Sequence, residues 1–240
     1  MAFNPPPLSR RQLEGVPFDI AVDFAPAAKR RFDDFDNRPA NRDPSKCKAL
    51  LRFPGGISFR GAIFWSAKMS IDADGPAAGP GRRDGTQLDP GPGQLDTTLH
   101  FANGNGLPSE IVPYIVVPQA APHSPRTFDP AVAIGDVAVV IFKDKITAAI
   151  CADLGPFNKI GEASIRVHEA LQQSGCPDPC SRRDGNGFCL RTRNSSVDEN
   201  VLYVVFPNSA FPQPELTFET INTKVAERAF ALYNKLRGVS

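Results

Sequence analysis

Long apolar runs and any imbalance of charge are both missing from this chain. No stretch approaches the roughly eighteen apolar residues that a membrane-spanning helix requires. Lysine and arginine number 27 against 26 aspartates and glutamates, a formal charge of +1, so there is no bulk electrostatic case for nucleic acid or an anionic membrane as partner. The Arg10-Arg11 pair is followed by no apolar segment and is neither a secretory nor a twin-arginine signal. Either the protein stays inside the cell, or a signal was removed or lies outside this chain. Metal-binding spacings are equally scarce. Cys176, Cys180 and Cys189 form a C-x3-C-x8-C pattern with no C-x2-C knuckle and only His168 nearby, which points away from zinc and toward a disulfide within that loop if the protein meets an oxidising compartment. Five cysteines leave at least one thiol free, and Cys151, inside an apolar run, reads as a small buried hydrophobe. No repeat with a period of about 20–50 residues is present.

What the chain has in quantity is proline and glycine, 24 and 19 of them in 240 residues, which predicts many turns and short strands. Apolar residues make up 41 % and charged residues 22 %, ordinary values for a globular protein. Residues 1–46, rich in Pro, Arg and Asp, show poor periodicity and read as an irregular N-terminal extension. Residues 47–240 read as one domain, including a Cys-rich loop at 175–190 and a C-terminal helix at 220–237.

KALLRF (48–53) and AIFWSAKMSIDA (62–73) alternate in part, and IVPYIVV (111–117), IGDVAVVIF (134–142), KITAAICA (145–152) and VLYVVFP (201–207) are apolar and β-branched, as strands are. Phe142 to Lys145 reads as a tight hairpin. Two segments read as helices. In ASIRVHEALQQSG, Ala163, Val167, Ala170 and Leu171 share one face. In TINTKVAERAFALYNKLRG, Ile221, Val225, Ala229, Leu232 and Leu236 make a stripe, with Thr220 as N-cap and Gly238 past the end. The expected fold is mainly β: a small barrel with two peripheral α-helices and long loops.

One such loop, residues 72–101, carries Asp72, Asp74, Asp84, Asp89 and Asp96. Connections this long inside a compact domain are usually functional or disordered. The simpler reading is a solvated loop whose aspartates make Asx-turns. Its DADG start lacks the twelve-residue spacing and closing glutamate of a calcium loop, and no metal or cofactor is expected.

The most informative stretch is ICADLGPFNKIGEASIRVHE (150–169), in which an apolar strand delivers Asp153 and a Gly-Pro bend leads to Lys159 and Glu162. Two carboxylates across a bend are the minimum equipment for cleaving a glycosidic bond, one protonated to assist the leaving group and the other ionised to activate water. Burial at a strand end would favour a protonated Asp153. A helix start would favour a charged Glu162, and Lys159 could tune either group. The same pattern is compatible with a turn aspartate and a helix-start glutamate capped by Ser164 or Gly161.

The order of motifs separates these readings. KMSIDADG (68–75), DPGPGQLDTTL (89–99), VPYIVVP (112–118) and GDVAVVIFKDKITAAICADLGPFNKIGEASIRVHEAL (135–171) are together similar to the fungal-type chitosanases of glycoside hydrolase family 75. The resemblance covers residues 62–171. It implies a six-stranded, double-psi-like β-barrel, endo-hydrolysis of β-1,4-linked glucosamine polymers with inversion, and Asp153 and Glu162 as the catalytic pair. It also implies a polysaccharide substrate, with Asp72, Asp74, Asp96, Tyr114 and Lys159 as binding residues, since a cationic polymer needs carboxylates facing its ammonium groups. An extracellular setting follows from the family, with a cytoplasmic one as the alternative. A non-catalytic glycan-binding module, or a hydrolase of another amino-sugar glycan such as peptidoglycan, stays open beside it. Trp65, the single tryptophan, could stack on a sugar, although its apolar strand favours the core.

Overall fold

A computed structural model describes residues 10–34, 47–55, 61–78, 94–172, 175–193, 197–212 and 215–239. In chain order the strands are β1 (Val22–Asp23), β2 (Cys47–Phe53), β3 (Ala62–Asp72), β4 (Tyr114–Pro118), β5 (Val137–Phe142), β6 (Lys145–Gly155), β7 (Glu162–Ser164), β8 (Cys180–Arg183), β9 (Cys189–Thr192) and β10 (Val197–Phe206). Helices are α1 (Arg10–Leu13), α2 (Pro26–Asp34), α3 (Ile165–Leu171) and α4 (Ile221–Leu236).

The ladder runs β3-β10-β5-β6-β4-β7, and β7 pairs back onto β3, which closes a six-stranded barrel with no free edge inside the ring. Strands β2 and β1 extend the sheet outside β3, and β8 and β9 form a separate hairpin. Most ring pairings are antiparallel, but β3–β7 and β4–β6 are parallel. Partial alternation in the sequence has a direct cause here, because both faces of the strands are packed. In β5 all six residues are buried. Val137, Val139 and Ile141 join one apolar cluster, and Ala138, Val140 and Phe142 join the other.

Helix α4 lays Ile221, Val225, Ala229, Tyr233 and Leu236 on the first cluster. Tyr233 therefore takes the inward place expected for Leu232, which is only partly buried. Thr220 stands at the N-cap position without a capping bond from its side chain; its hydroxyl is held instead by Thr217 Oγ1 at 2.9 Å. Helix α3 packs Val167 and Leu171 on the second cluster. Ala163 belongs to β7, and Ala170 faces outward where His168 and Ile165 face in. The face rotates because the chain remains a strand through Ser164, whose Oγ then accepts Val167 N–H as the true N-cap. Four helices are described rather than two. The extra pair lies where the sequence showed no period; α2 touches the barrel chiefly through Ala28 and Phe32, four residues apart, with Pro26 in the first turn, where it suits a helix.

The hairpin at Phe142–Lys145 forms as read, with Lys143 in the left-handed region at φ 52°. Cys180 and Cys189 are bonded and tie β8 to β9, while Cys47, Cys151 and Cys176 are buried and form no disulfide. Trp65 is fully buried and stacks on Tyr203 with ring centroids 5.3 Å apart, so it is a core residue. Among the described residues no helix is long and apolar enough to cross a membrane.

One buried carboxyl anchors the connection that feeds α4. Asp136 is fully buried and accepts the backbone N–H groups of Ala133 at 2.8 Å, Ser209 at 2.8 Å and Ala210 at 3.1 Å. Burial pushes its pKa up, and those donors oppose the rise. Asp136→Ala would strand these donors and is expected to cost about 2–4 kcal/mol of unfolding free energy, read by chemical denaturation; a loss under about 0.5 kcal/mol would refute the anchoring role.

Candidate active site

A register slip aims the first carboxylate. Along the parallel β4–β6 ladder Tyr114 partners Ile150 and Ile115 partners Cys151, but Val116 partners Asp153 rather than Ala152. Side chains alternate along a strand, so without this bulge Ala152 would stand beside Val116 and Asp153 would point to the opposite face. On the other edge of β4, Val116 partners Glu162. Asp153, Val116 and Glu162 thus form one row across three strands, which puts the two outer Cα atoms roughly 10 Å apart by sheet spacing.

Glu162 is delivered by Gly161, whose φ of +85° is a left-handed conformation that admits glycine freely. A Cβ there would fall on the carbonyl oxygen of Lys68. The next three residues pair in parallel with β3, Ser70 opposite Glu162 and Asp72 opposite Ser164, which brings the end of β3 into the same place. The result is a cavity of about 170 Å³ lined by Asp72, Asp74, Asp153, Lys159 and Glu162, with Val116, Gln94 and Gly155 among its walls. Gly155 keeps the space open: a Cβ there would lie 2.8 Å from Val116 Cγ1 and 3.3 Å from Glu162 Oε2.

The carboxyl groups sit in different surroundings. Asp153 is buried, and its Oδ1 accepts Thr98 N–H at 3.0 Å, the Thr98 hydroxyl at 2.6 Å and Leu154 N–H at 2.8 Å. Burial raises its pKa, the three donors pull it back, and the Glu162 charge adds to the rise. Glu162 is ion-paired through Oε1 with Lys159. Asp72 is partly exposed to the cavity yet ringed by other groups; its Oδ1 accepts the Tyr114 hydroxyl at 2.8 Å and Asp74 N–H at 2.8 Å. Its pKa is pushed well up, first by burial and then by the charges of Asp74, Glu162 and Asp153. One oxygen each from Asp72, Asp74 and Asp153 lie within 4.8 Å of one another. This trio contains no imidazole or thiolate, and no metal is assigned to it.

Five of the seven residues picked from the sequence therefore line one cavity: Asp72, Asp74, Asp153, Lys159 and Glu162. Tyr114 lies beneath them, fully buried, and reaches the cavity through Asp72 and the Asp74 carbonyl oxygen. Asp96 is turned elsewhere. Its Oδ1 accepts Thr97 N–H at 3.0 Å and its Oδ2 bonds His100 Nε2 at 2.7 Å. Asp84 and Asp89 lie outside the described residues. Thr98, two residues after Asp96, was not singled out, and neither was Gln94, whose N–H donates to Asp74 Oδ1 at 2.9 Å. Nothing in composition marks one hydroxyl or amide of a polar loop above its neighbours.

Compared with known families, residues 69–231 match the family described as fungal chitosanase of glycosyl hydrolase group 75. That span is well over half of the chain and contains every residue of the cavity. No curated protein matches the chain.

The backbone at Gly161 is the feature of this site that tolerates least. Gly161→Ala is expected to lower stability by about 2 kcal/mol or more and to reduce hydrolytic rate more than a comparable loss of stability at a distant site. Denaturation curves run beside rate measurements on the folded variant check this, and a folded, fully active Gly161→Ala protein would contradict it.

Proposed function

Since the chain belongs to the fungal chitosanases of glycosyl hydrolase group 75, and is therefore a glycoside hydrolase acting on a polysaccharide, we propose that it cuts β-1,4-linked glucosamine polymers internally with inversion, using Asp153 and Glu162. The catalytic domain is taken as residues 47–240. One observation carries this reading: the two carboxylates flank Val116 on opposite edges of β4 and line one cavity. Inverting hydrolysis needs carboxyls about 6.5–9.5 Å apart, with a water between the base and the sugar. A Cα separation of roughly 10 Å from sheet spacing is compatible with that gap.

Asp153 is the acid in this mechanism. Its burial favours the protonated form, and it gives its proton to the glycosidic oxygen as the bond to C1 breaks. Glu162, paired with the Lys159 ammonium, is the base. It takes a proton from the water that attacks C1 from the opposite face. Asp72 and Asp74 give the cavity an acidic wall suited to a polymer carrying ammonium groups. The Cys180–Cys189 bond favours an oxidising, extracellular setting.

The test is a product assay on chitosans of differing acetylation, with anomeric configuration read by proton NMR. Asp153→Asn and Glu162→Gln should each lower the rate by at least about 100-fold while far-ultraviolet dichroism stays unchanged. Near-full activity in either variant, or a product of retained configuration, would defeat the reading. The pH dependence has a definite sign. An acid must be protonated to work, so a raised Asp153 pKa carries activity to higher pH than an ordinary carboxyl would, and activity is lost as pH rises through that raised value.

A further inference from the structure

The connection between β3 and β4 does more than cross the barrel end, because it supplies two of the three donors on Asp153. Its course there is fixed by the backbone. Leu99 N–H donates to the Ala152 carbonyl oxygen at 2.8 Å, within the bulge itself. The Thr97 hydroxyl donates to the Leu99 carbonyl oxygen at 2.7 Å and accepts Leu107 N–H at 2.8 Å. Thr98, between these two pinned residues, presents its amide and its hydroxyl to the same carboxylate oxygen, Asp153 Oδ1, at 3.0 and 2.6 Å. Leu154 N–H is the third donor to that atom, at 2.8 Å, and it also reaches Thr98 Oγ1 at 3.3 Å. Among the described residues, no donor bonds Oδ2.

We propose that Thr98 is the positioning residue of the acid: by holding Oδ1 through both amide and hydroxyl it fixes the Asp153 carboxyl in one orientation and leaves Oδ2 as the atom that carries the proton and delivers it to the leaving oxygen. The proposal rests on Asp153 being the acid, as argued above. A proton on Oδ1 would meet three donors, and a carboxyl free to rotate would present the wrong oxygen to the substrate for part of the time. The same hydroxyl sets the acid's strength. A donor to a carboxylate favours its charged form, and the Thr98 hydroxyl opposes the rise that burial imposes on Asp153. Other titratable groups facing this carboxyl are Asp72 and Asp74 at the end of β3, Tyr114 of β4 bonded to Asp72, Glu162 of β7 and Lys159 beside it. All of them stay in place when Thr98 alone is changed.

Thr98→Val removes the hydroxyl at nearly constant shape and keeps the amide donor, and Thr98→Ser returns the hydroxyl without the methyl. Thr98→Val should lower kcat on chitosan by about 10-fold or more with KM within about twofold. It should also move the alkaline limb of the kcat profile upward by about half a pH unit or more. Thr98→Ser should restore both. The Asp153 carboxyl titration, followed by NMR on isotope-labelled aspartate, should move upward in Thr98→Val and return in Thr98→Ser, whatever the substrate. An unmoved titration in folded Thr98→Val, or a Thr98→Ser that behaves like Thr98→Val, would overturn the positioning role. A moved titration with an unmoved rate limb would instead overturn Asp153 as the acid, and a change confined to KM would make Thr98 a substrate contact.

Discussion

Closure of the barrel depends on a strand of three residues. Glu162, Ala163 and Ser164 pair in parallel with β3 on one side, and Glu162 and Ala163 pair antiparallel with β4 on the other; among the described residues no other strand pairs with both. The segment is short enough that each residue has a separate duty. Glu162 faces the cavity, and Ala163 is buried in the second apolar cluster. Ser164 uses one hydroxyl three ways: it accepts Tyr114 N–H at 3.0 Å, donates to the Val112 carbonyl oxygen at 2.9 Å and caps α3. The bond that closes the ring, the start of the helix and the placement of a carboxylate are therefore one structural event.

The chemistry follows from how differently this frame surrounds its acids. Glu162 meets a lysine. Asp153 meets neutral donors and burial, and Asp72 meets a phenol and other carboxylates. Two carboxylates in one cavity can take opposite roles only if their environments separate their proton affinities. Here backbone registers bring different neighbours to each carboxylate, rather than any unusual residue doing so. Tyr114 belongs to the same scheme, since its hydroxyl is spent on Asp72 and the Asp74 carbonyl oxygen.

Much of this was legible in the sequence, for identifiable reasons. Apolar, β-branched segments such as VAVVIF announce strands whatever their partners are, and a Gly-Pro bend followed by Lys159 and Glu162 announces a strand end facing a helix start. The bulge at Ala152 was not legible, because register belongs to a pair of strands and one strand's letters do not encode it. For the same reason Asp96 stands among the candidate binding residues, behind Asp72 and Asp74, yet a loop pinned at Thr97 and Leu99 turns Asp96 toward His100 and Thr98 toward Asp153. Helix α2 was hidden because it commits only a narrow face to the barrel, too little to make a period among its charges. The inward turn of His168 was hidden because β7 delays the start of α3 to Ile165.

The position of Trp65 has a practical side. Its indole is fully buried, stacked on Tyr203 and edge-on to Phe128, and it is absent from the cavity wall. Because it is the only tryptophan in the chain, its fluorescence is a built-in gauge of barrel integrity and gives little optical sign of an occupied cleft.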